Sequence, residues 1–379
     1  MNQWKIPLFD SDYGQQEIDA VTKVLQSRWL TMGEITHQFE TQFCNYINVK
    51  HAFAVSNGTT ALHLANIVLG IGAGDEVIVP SLTFIASVNS ILYTGATPIF
   101  ADIASEDDLT ISPQDIERNI SDKTRAILVV HYGGYPCQME QIMSLARQHH
   151  LLVIEDAAHA PGAKLNGTSC GVFGDCGCFS FFSNKNLATG EGGMLVTNRD
   201  DLAERIKLIR SHGMTSLTLN RYKGHSYSYD VVDLGYNYRT TEIGSALGMI
   251  QLNKLAAKNK RRKKLAEYYQ NKFADLKGIK IPFINHSGLS SYHIFPIILN
   301  PELDRNRFME FLKQNGIQTS IHYPPAHRFT YHKKYLQAKH SLPFTEDIAQ
   351  REVTLPLYPD LKFEEIDYIA DVIEKFVTS

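Results

Sequence analysis

Two residues of this chain have types and a spacing that suit joint chemistry. Asp156 follows a buried-type apolar run at 151–154, and Lys185 comes 29 residues later in the small-residue segment 180–194. A lysine amine can form a Schiff base with an aldehyde, and a carboxylate can pair with a protonated pyridine nitrogen. Glycines at 190, 192 and 193 allow a close fold around the lysine, and enclosure lowers a lysine pKa. The pair therefore predicts an enzyme that uses pyridoxal 5'-phosphate (PLP).

A phosphate site is predicted where segment 56–62 follows a strand and opens a helix. Helix N-termini present unpaired N–H groups and partial positive charge, which bind phosphate. Gly58 allows close approach of the backbone, and Thr59 and Thr60 add hydroxyl donors. Ser180, five residues before Lys185, is a second candidate. Taken singly, an ordinary capped helix start and a strand serine bonded to backbone are the commoner interpretations.

Two further side chains are candidates for contact with the cofactor ring. Phe84 begins a predicted helix after a strand and can stack on a pyridine, although a lone aromatic there is more often core. His159 follows Asp156 in a small-residue turn and can lie near the phenolic oxygen, although such histidines more often only pack. Asp156 itself also fits a helix cap or a metal ligand, and we predict no metal site.

The fold class follows from an alternation of short apolar runs with helical patterns. Near-continuous apolarity suits strands buried on both faces of a parallel sheet, and the alternation indicates an α/β fold. The predicted strands are residues 51–55, 76–79, 98–101, 126–130, 151–154, 177–181 and 194–197. The predicted helices between them include residues 60–69, 83–93, 138–149 and 200–211.

A second unit is predicted after a long helical pattern at about 241–275. A strand at 294–298 and helices at 307–315 and 363–377 follow it. We place the boundary near residue 255, giving a large domain at 1–255, with an N-terminal arm, and a smaller C-terminal domain at 256–379.

Composition excludes several function classes. The net charge of −3, without a strong basic run, argues against nucleic acid as a partner. No apolar stretch approaches the roughly 18 residues of a membrane span, and the first residues lack the apolar core of a signal peptide. An odd count of five cysteines suits reduced thiols, so we expect a cytoplasmic protein. Cys176 and Cys178 are expected to pack rather than to react.

The motifs together resemble the sugar aminotransferases of the DegT/StrS type, which are fold-type I PLP enzymes related to aspartate aminotransferase. The resemblance covers nearly the whole chain and rests on segments 27–33, 56–62, 74–80, 95–102, 155–156, 185–187, 235–242 and 316–323. It implies a large domain with a mostly parallel seven-stranded sheet and a smaller C-terminal α+β domain. It also implies PLP as the cofactor.

The resemblance implies a role for each candidate on the cofactor side. Lys185 would be the Schiff-base lysine and proton shuttle, and Asp156 would pair with the pyridine nitrogen. Phe84 would stack on the ring, and His159 stands where relatives carry glutamine or histidine. The phosphate would be held by the residues already singled out, Gly58, Thr59, Thr60 and Ser180.

The resemblance also implies shared active sites and a substrate side. Segment 235–242 resembles the family's subunit-crossing loop, so Asn237 would reach the phosphate of a neighbouring subunit in a homodimer. His322 and Tyr323 would line the substrate side. Arg239 is a further substrate candidate, and so is His225, in a basic segment at 221–225 that fits a surface loop equally well.

The implied reaction moves an amino group from L-glutamate to a nucleotide-linked 3-keto or 4-keto-6-deoxyhexose and yields an amino sugar. One branch of the family replaces the lysine with histidine and dehydrates instead, whereas this chain keeps Lys185. Three alternatives stay open: an aminotransferase for a cyclitol or another ketone, a PLP-binding regulatory protein without turnover, and a fold-type I lyase. The nucleotide and the carbon that is aminated, C3 or C4, do not follow from the sequence.

Overall fold

The computed structural model describes residues 4–215, 228–335 and 339–378. Among these residues, no helix combines the length and the apolar character that crossing a bilayer requires. The sequence-predicted segment 221–225, with His225, lies outside the described residues.

A seven-stranded sheet forms the centre of the larger part of the chain. Its strands run in the spatial order β1-β9-β8-β5-β4-β2-β3, and a short hairpin of β6 and β7 follows β5. Strand β9 is antiparallel to both of its neighbours, and the remaining strands share one direction. The strands are β1 (His51–Val55), β2 (Glu76–Pro80), β3 (Thr97–Ala101), β4 (Thr124–Val130), β5 (Leu152–Asp156), β6 (Lys164–Leu165), β7 (Thr168–Ser169), β8 (Cys176–Ser180) and β9 (Gly193–Thr197). The predicted mostly parallel α/β sheet is thereby confirmed.

Helices cover both faces of this sheet, which explains the continuous apolarity of its strands. Val77 and Val79 pack into the cluster on one face, and Ile78 between them packs into a cluster on the other. The helices are α1 (Gln15–Ser27), α2 (Glu34–Ile47), α3 (Gly58–Val68), α4 (Ile85–Leu92), α5 (Pro113–Asn119), α6 (Met139–Gln148) and α7 (Asp200–Ile209). The parallel strands therefore end together at one edge, where ligands collect in such folds.

The C-terminal part builds a core of its own around an antiparallel sheet in the order β10-β11-β12. Tyr269, Phe295 and Phe308 are fully buried in that core, and Ile6 of the N-terminal segment packs with them. Its elements are α8 (Glu242–Phe273), β10 (Ile279–Lys280), β11 (Phe295–Leu299), α9 (Arg305–Gln314), α10 (Thr330–Tyr335), α11 (Pro343–Arg351), β12 (Glu352–Leu355) and α12 (Phe363–Val377). Residue 255 falls inside α8, and the division there stays a prediction.

Candidate active site

One cavity of about 410 Å³ opens at the carboxyl ends of the parallel strands. Many of the sequence-predicted residues line it together, although they come from two strands of the large sheet, the start of α3 and several loops. These are Gly58, Thr59, Phe84, Asp156, His159, Ser180, Lys185, His322 and Tyr323. The cavity is the place where joint chemistry of these side chains is possible.

Lys185 projects into the cavity from the loop that follows β8. Its Nζ lies 3.4 Å from Nε2 of His293. Removal from water lowers the pKa of the amine to about 8, and the negative charge of Asp156 opposes that shift. At neutral pH a much larger fraction of this amine is uncharged than of an ordinary lysine, and only the uncharged amine is a nucleophile or base.

Asp156 ends β5 as a buried carboxylate. Its Oδ2 accepts a 2.7 Å hydrogen bond from the hydroxyl of Ser87, and Oδ1 accepts a 3.1 Å bond from the amide of Ala158. Burial raises the pKa of the carboxyl, and the bonds from Ser87 and Ala158 oppose the rise. Among the described residues none forms an ion pair with Asp156, so a cationic ligand group here would gain a preoriented partner.

The turn into α3 forms a second wall of the cavity. Asn57 caps the helix, with its Oδ1 accepting from the amide of Thr60 at 2.9 Å. The turn lies so close to Ser180 that a Cβ on Gly58 would stand 2.8 Å from the serine Cβ. The hydroxyl of Thr60 donates to the carbonyl of Asn57 at 2.8 Å, and Thr60 does not line the cavity. Thr59, Ser180 and the first N–H groups of α3 are thus the donors near an anion bound there.

His159 and Tyr323 are joined across the cavity. The amide of Gly133 donates to Nδ1 of His159 at 3.3 Å, so Nδ1 is the unprotonated nitrogen. Nε2 then carries the proton and donates to the Tyr323 oxygen at 2.9 Å. Burial and the neighbouring Lys185 and His322 hold the pKa of His159 well below its usual range, so the ring is neutral. Because the Tyr323 oxygen accepts this bond, its own hydroxyl proton points away from His159.

Phe84 and His322 also line the cavity. Phe84 is 56% exposed at the start of α4 although it is large and apolar, and its ring lies 5.9 Å from that of Tyr323. Nδ1 of His322 lies 2.8 Å from the hydroxyl of Thr354, which itself donates to Glu352. That hydroxyl therefore accepts from Nδ1–H, and burial lowers the pKa of His322 to about 3.

Besides Thr60, two further predicted site residues, Asn237 and Arg239, lie outside this cavity. Asn237 is exposed and pairs by its backbone with Ser211. Arg239 donates to the hydroxyl of the same serine at 3.1 Å. Their predicted roles, like that of His225, stay predictions.

Three polar residues of the site are not found by sequence reasoning. Ser87 lies four residues beyond Thr83, one turn into α4, and such a serine resembles any helix serine. Asn186 carries a weak signal, since it directly follows Lys185. His293 comes two residues before β11, and nothing in its neighbourhood along the chain points to the lysine.

The residues present fit PLP. The cavity offers an amine with a lowered pKa, a buried carboxylate that forms no ion pair with any described residue, and a helix N-terminus with two hydroxyls. These suit an aldehyde, a pyridinium and a phosphate respectively. The exposed face of Phe84 offers a surface for an aromatic ring.

Comparison with known proteins identifies the family. Residues 11–374 match the DegT/DnrJ/EryC1/StrS aminotransferase family. A GDP-perosamine synthase of Escherichia coli O157:H7 is 40% identical over 373 residues, covering 98% of each chain. PseC of Helicobacter pylori, an aminotransferase involved in the biosynthesis of pseudoaminic acid, superposes with a TM-score of 0.92 at 29% identity, covering 99% of this chain and 100% of that one. The PMP form of Spr1654 from Streptococcus pneumoniae gives a TM-score of 0.93 at 28% identity, covering 99% of both chains. The chain therefore belongs to the DegT/DnrJ/EryC1/StrS aminotransferase family and is a PLP-dependent aminotransferase.

Proposed function

We propose that the enzyme moves an amino group from L-glutamate to a nucleotide-linked keto sugar, giving a nucleotide-linked amino sugar. The observation that carries the proposal is the convergence of Lys185, Asp156 and the Gly58 turn on one cavity. Similarity over almost the whole chain to a GDP-perosamine synthase supports a sugar attached to a nucleoside diphosphate. The five cysteines form no disulfide, which supports a reducing compartment such as the cytoplasm as the place of action.

The chain's own residues divide the work of transamination. Bound PLP supplies an electron-accepting ring that stabilises negative charge on the amino-bearing carbon. Lys185 would hold the cofactor through its Nζ, and its free, neutral amine would take a proton from Cα of the amino donor. The carboxylate of Asp156 keeps the pyridine nitrogen protonated, because separating the two would leave a buried charge unpaired.

The remaining residues of the cavity are proposed to bind and orient the cofactor and the substrate. Gly58, Thr59 and Ser180 hold the phosphate with the N-terminus of α3, and Thr60 keeps that turn in shape through the cap. Phe84 would pack on the ring of bound PLP, and His159 would lie near its phenolic oxygen. His322 and Tyr323 line the substrate end, for which Arg239 and His225 remain further candidates.

A two-step absorbance experiment tests the proposal. Purified, PLP-loaded protein is mixed with L-glutamate, and the visible band of the lysine-bound cofactor is followed. We expect it to bleach, because the amino group passes to the cofactor. The desalted protein is then offered GDP- and TDP-linked 3-keto and 4-keto-6-deoxy sugars, and we expect one of them to restore the band.

Each other outcome changes the proposal in a defined way. Bleaching without recovery on any nucleotide sugar would keep the aminotransferase and exclude the tested sugars, favouring a cyclitol or another ketone. No bleaching with L-glutamate would exclude that donor, and a panel of other amino acids would then separate a different donor from a protein that only binds PLP.

We further propose that two chains form the active unit, with Asn237 of each serving the phosphate of the other. Asn237 is exposed and does not line the cavity of its own chain. Just before it, Val231, Val232 and Leu234 are 57%, 53% and 77% exposed, which is unusual for neighbouring apolar side chains. Among the described residues that line the cavity, Lys185 is the only lysine or arginine, so a dianionic phosphate would gain from added donors.

Subunit complementation measures this sharing. Lys185→Ala and Asn237→Ala chains, each inactive or weakened as a homodimer, are mixed under dissociating conditions and reassociated. If sites are shared, the mixed dimer contains one site with both defects and one intact site, so activity should return toward about half of a wild-type dimer per mixed dimer. Absence of any recovery, with mixed dimers verified by mass spectrometry, would contradict shared sites.

A further inference from the structure

His293 is a buried histidine in contact with Lys185, and the mechanism proposed for transamination does not use it. It is 6% exposed and precedes β11 in the C-terminal part of the chain. Its Nε2 lies 3.4 Å from Nζ of Lys185, which is 108 residues away along the chain. The contact thus connects the loop that carries Lys185 to the C-terminal part of the chain.

The proton of His293 is placed by a chain of amide contacts. Nδ2 of Asn259 donates to the carbonyl of Pro161 at 2.9 Å, so the Asn259 oxygen is free to accept from Asn186 at 2.9 Å. Nδ2 of Asn186 also donates to the carbonyl of Ser291 at 2.8 Å. The oxygen of Asn186 must therefore face Nδ1 of His293, 3.0 Å away, and that nitrogen carries the proton.

Because this series of hydrogen bonds places the proton on Nδ1, Nε2 of His293 is unprotonated and faces Lys185. The described groups whose charges act on His293 are His159, His322, Lys185 and Arg262, and none of them is a carboxylic acid. Burial of the ring, together with the positive charge of Lys185 and Arg262, holds the pKa of His293 well below its usual range. A neutral Nε2 can only accept, and the amine of Lys185 can donate in either of its charge states.

We propose that His293 is a positioning residue that accepts a hydrogen bond from the Nζ–H of Lys185 whenever that amine is not attached to the cofactor. The inference rests on the role proposed for Lys185. A neutral amine has two N–H bonds and one lone pair, so fixing one N–H limits where the lone pair points. The freed lysine then waits beside the cavity in a defined orientation instead of sampling rotamers, which shortens the search before proton transfer.

Nitrogen NMR of the full chain without added cofactor tests the contact directly. With ¹⁵N-labelled histidine, we expect His293 to show a protonated Nδ1 and an unprotonated Nε2. Lys185→Met keeps the volume and removes the donor, so the Nε2 resonance should shift while Nδ1 stays protonated. A protonated Nε2, or an Nε2 resonance that Lys185→Met leaves in place, would overturn the proposal.

The reactivity of Lys185 gives an independent second measurement. Trace acylation of the same protein at a series of pH values, read by mass spectrometry, gives the apparent pKa of each lysine. His293→Phe should lower that of Lys185 by about one unit, because the ammonium loses a hydrogen bond. His293→Gln keeps a hydrogen-bond acceptor, so the pKa of Lys185 in that variant should lie close to the wild-type value. The exposed Lys207 serves as the internal reference. If the pKa of Lys185 instead rose in His293→Phe, His293 would be a positively charged neighbour that repels the ammonium, and the assignment would be refuted.

Both measurements are made without turnover, so they stand apart from the absorbance experiment. If L-glutamate fails to bleach the cofactor, the donor or the reaction is wrong and the His293 contact is still measured. If the NMR test fails while bleaching succeeds, only the positioning role is lost. Thermal unfolding of each variant shows whether it has folded.

Discussion

Lys185→Ala is expected to reduce turnover by at least on the order of 10⁴-fold, because it removes both the covalent hold on PLP and the proton-transfer group. The variant should bind PLP without the visible band of the lysine-bound cofactor. Steady-state rates with L-glutamate and the acceptor sugar, together with the absorbance spectrum, check both statements. Lys207→Ala, on the exposed face of α7, is the matched control and should retain wild-type rates. Near-normal turnover of Lys185→Ala would contradict the proposed mechanism.

The buried amine also makes a prediction about stability and pH. The folded-state pKa of about 8 lies below the 10.5 of a free lysine, so the unfolded chain binds more protons between these values. The cost of burying the ammonium is therefore complete below pH 8 and disappears above pH 10.5. Without cofactor, Lys185→Met should be more stable than the wild type at pH 7 by about 1–2 kcal/mol, after allowance for partial exposure. Denaturant unfolding at pH 7 and pH 10.5 should show that advantage shrinking, and an equal advantage at both would contradict the assignment.

Asp156→Asn is expected to lower kcat/KM by on the order of 10³-fold, since an amide leaves the charge of the pyridinium without its partner. The fold should survive, because asparagine is isosteric: its single oxygen can still accept from the amide of Ala158, and the hydroxyl of Ser87 can rotate to accept from its NH2 group. Stopped-flow bleaching with L-glutamate would locate the loss in the proton-transfer half-reaction, and the affinity for PLP should fall as well. Ser87→Ala removes only one bond to the carboxylate and should cost about tenfold.

Glu155 offers the control for Asp156, because the two neighbours point to opposite sides of β5. Glu155 is fully buried, and its carboxylate accepts from His131 and from the amides of Gly171 and Gly174. Glu155→Gln should lower the thermal stability while leaving kcat/KM of the folded enzyme within a few-fold of the wild type. If both variants lost activity equally without unfolding, the special role of Asp156 would be refuted.

The fold class and the main chemical groups follow from the sequence because they depend on neighbours along the chain. Apolar runs separated by helical patterns predict the parallel sheet, and the observed bounds differ by only a few residues, as for 83–93 against Ile85–Leu92. Asp156 ends one strand of that sheet and Lys185 follows another, so local patterning already places both at the edge where the parallel strands end. The family confirmed by comparison is the one that these motifs resemble.

The surroundings of those groups depend on packing between distant segments, which local patterns do not encode. Ser87 contacts Asp156 because α4 begins at the same edge of the sheet at which β5 ends, although the two residues lie 69 positions apart. Thr60 fits a phosphate contact by sequence, but its hydroxyl bonds the helix cap and does not line the cavity. His293 meets Lys185 only because the C-terminal part packs against the catalytic loop. The sequence alone thus predicted which groups would carry the chemistry, whereas the tertiary structure decided their partners, orientations and pKa shifts, because burial and hydrogen bonding arise between residues that only folding brings together.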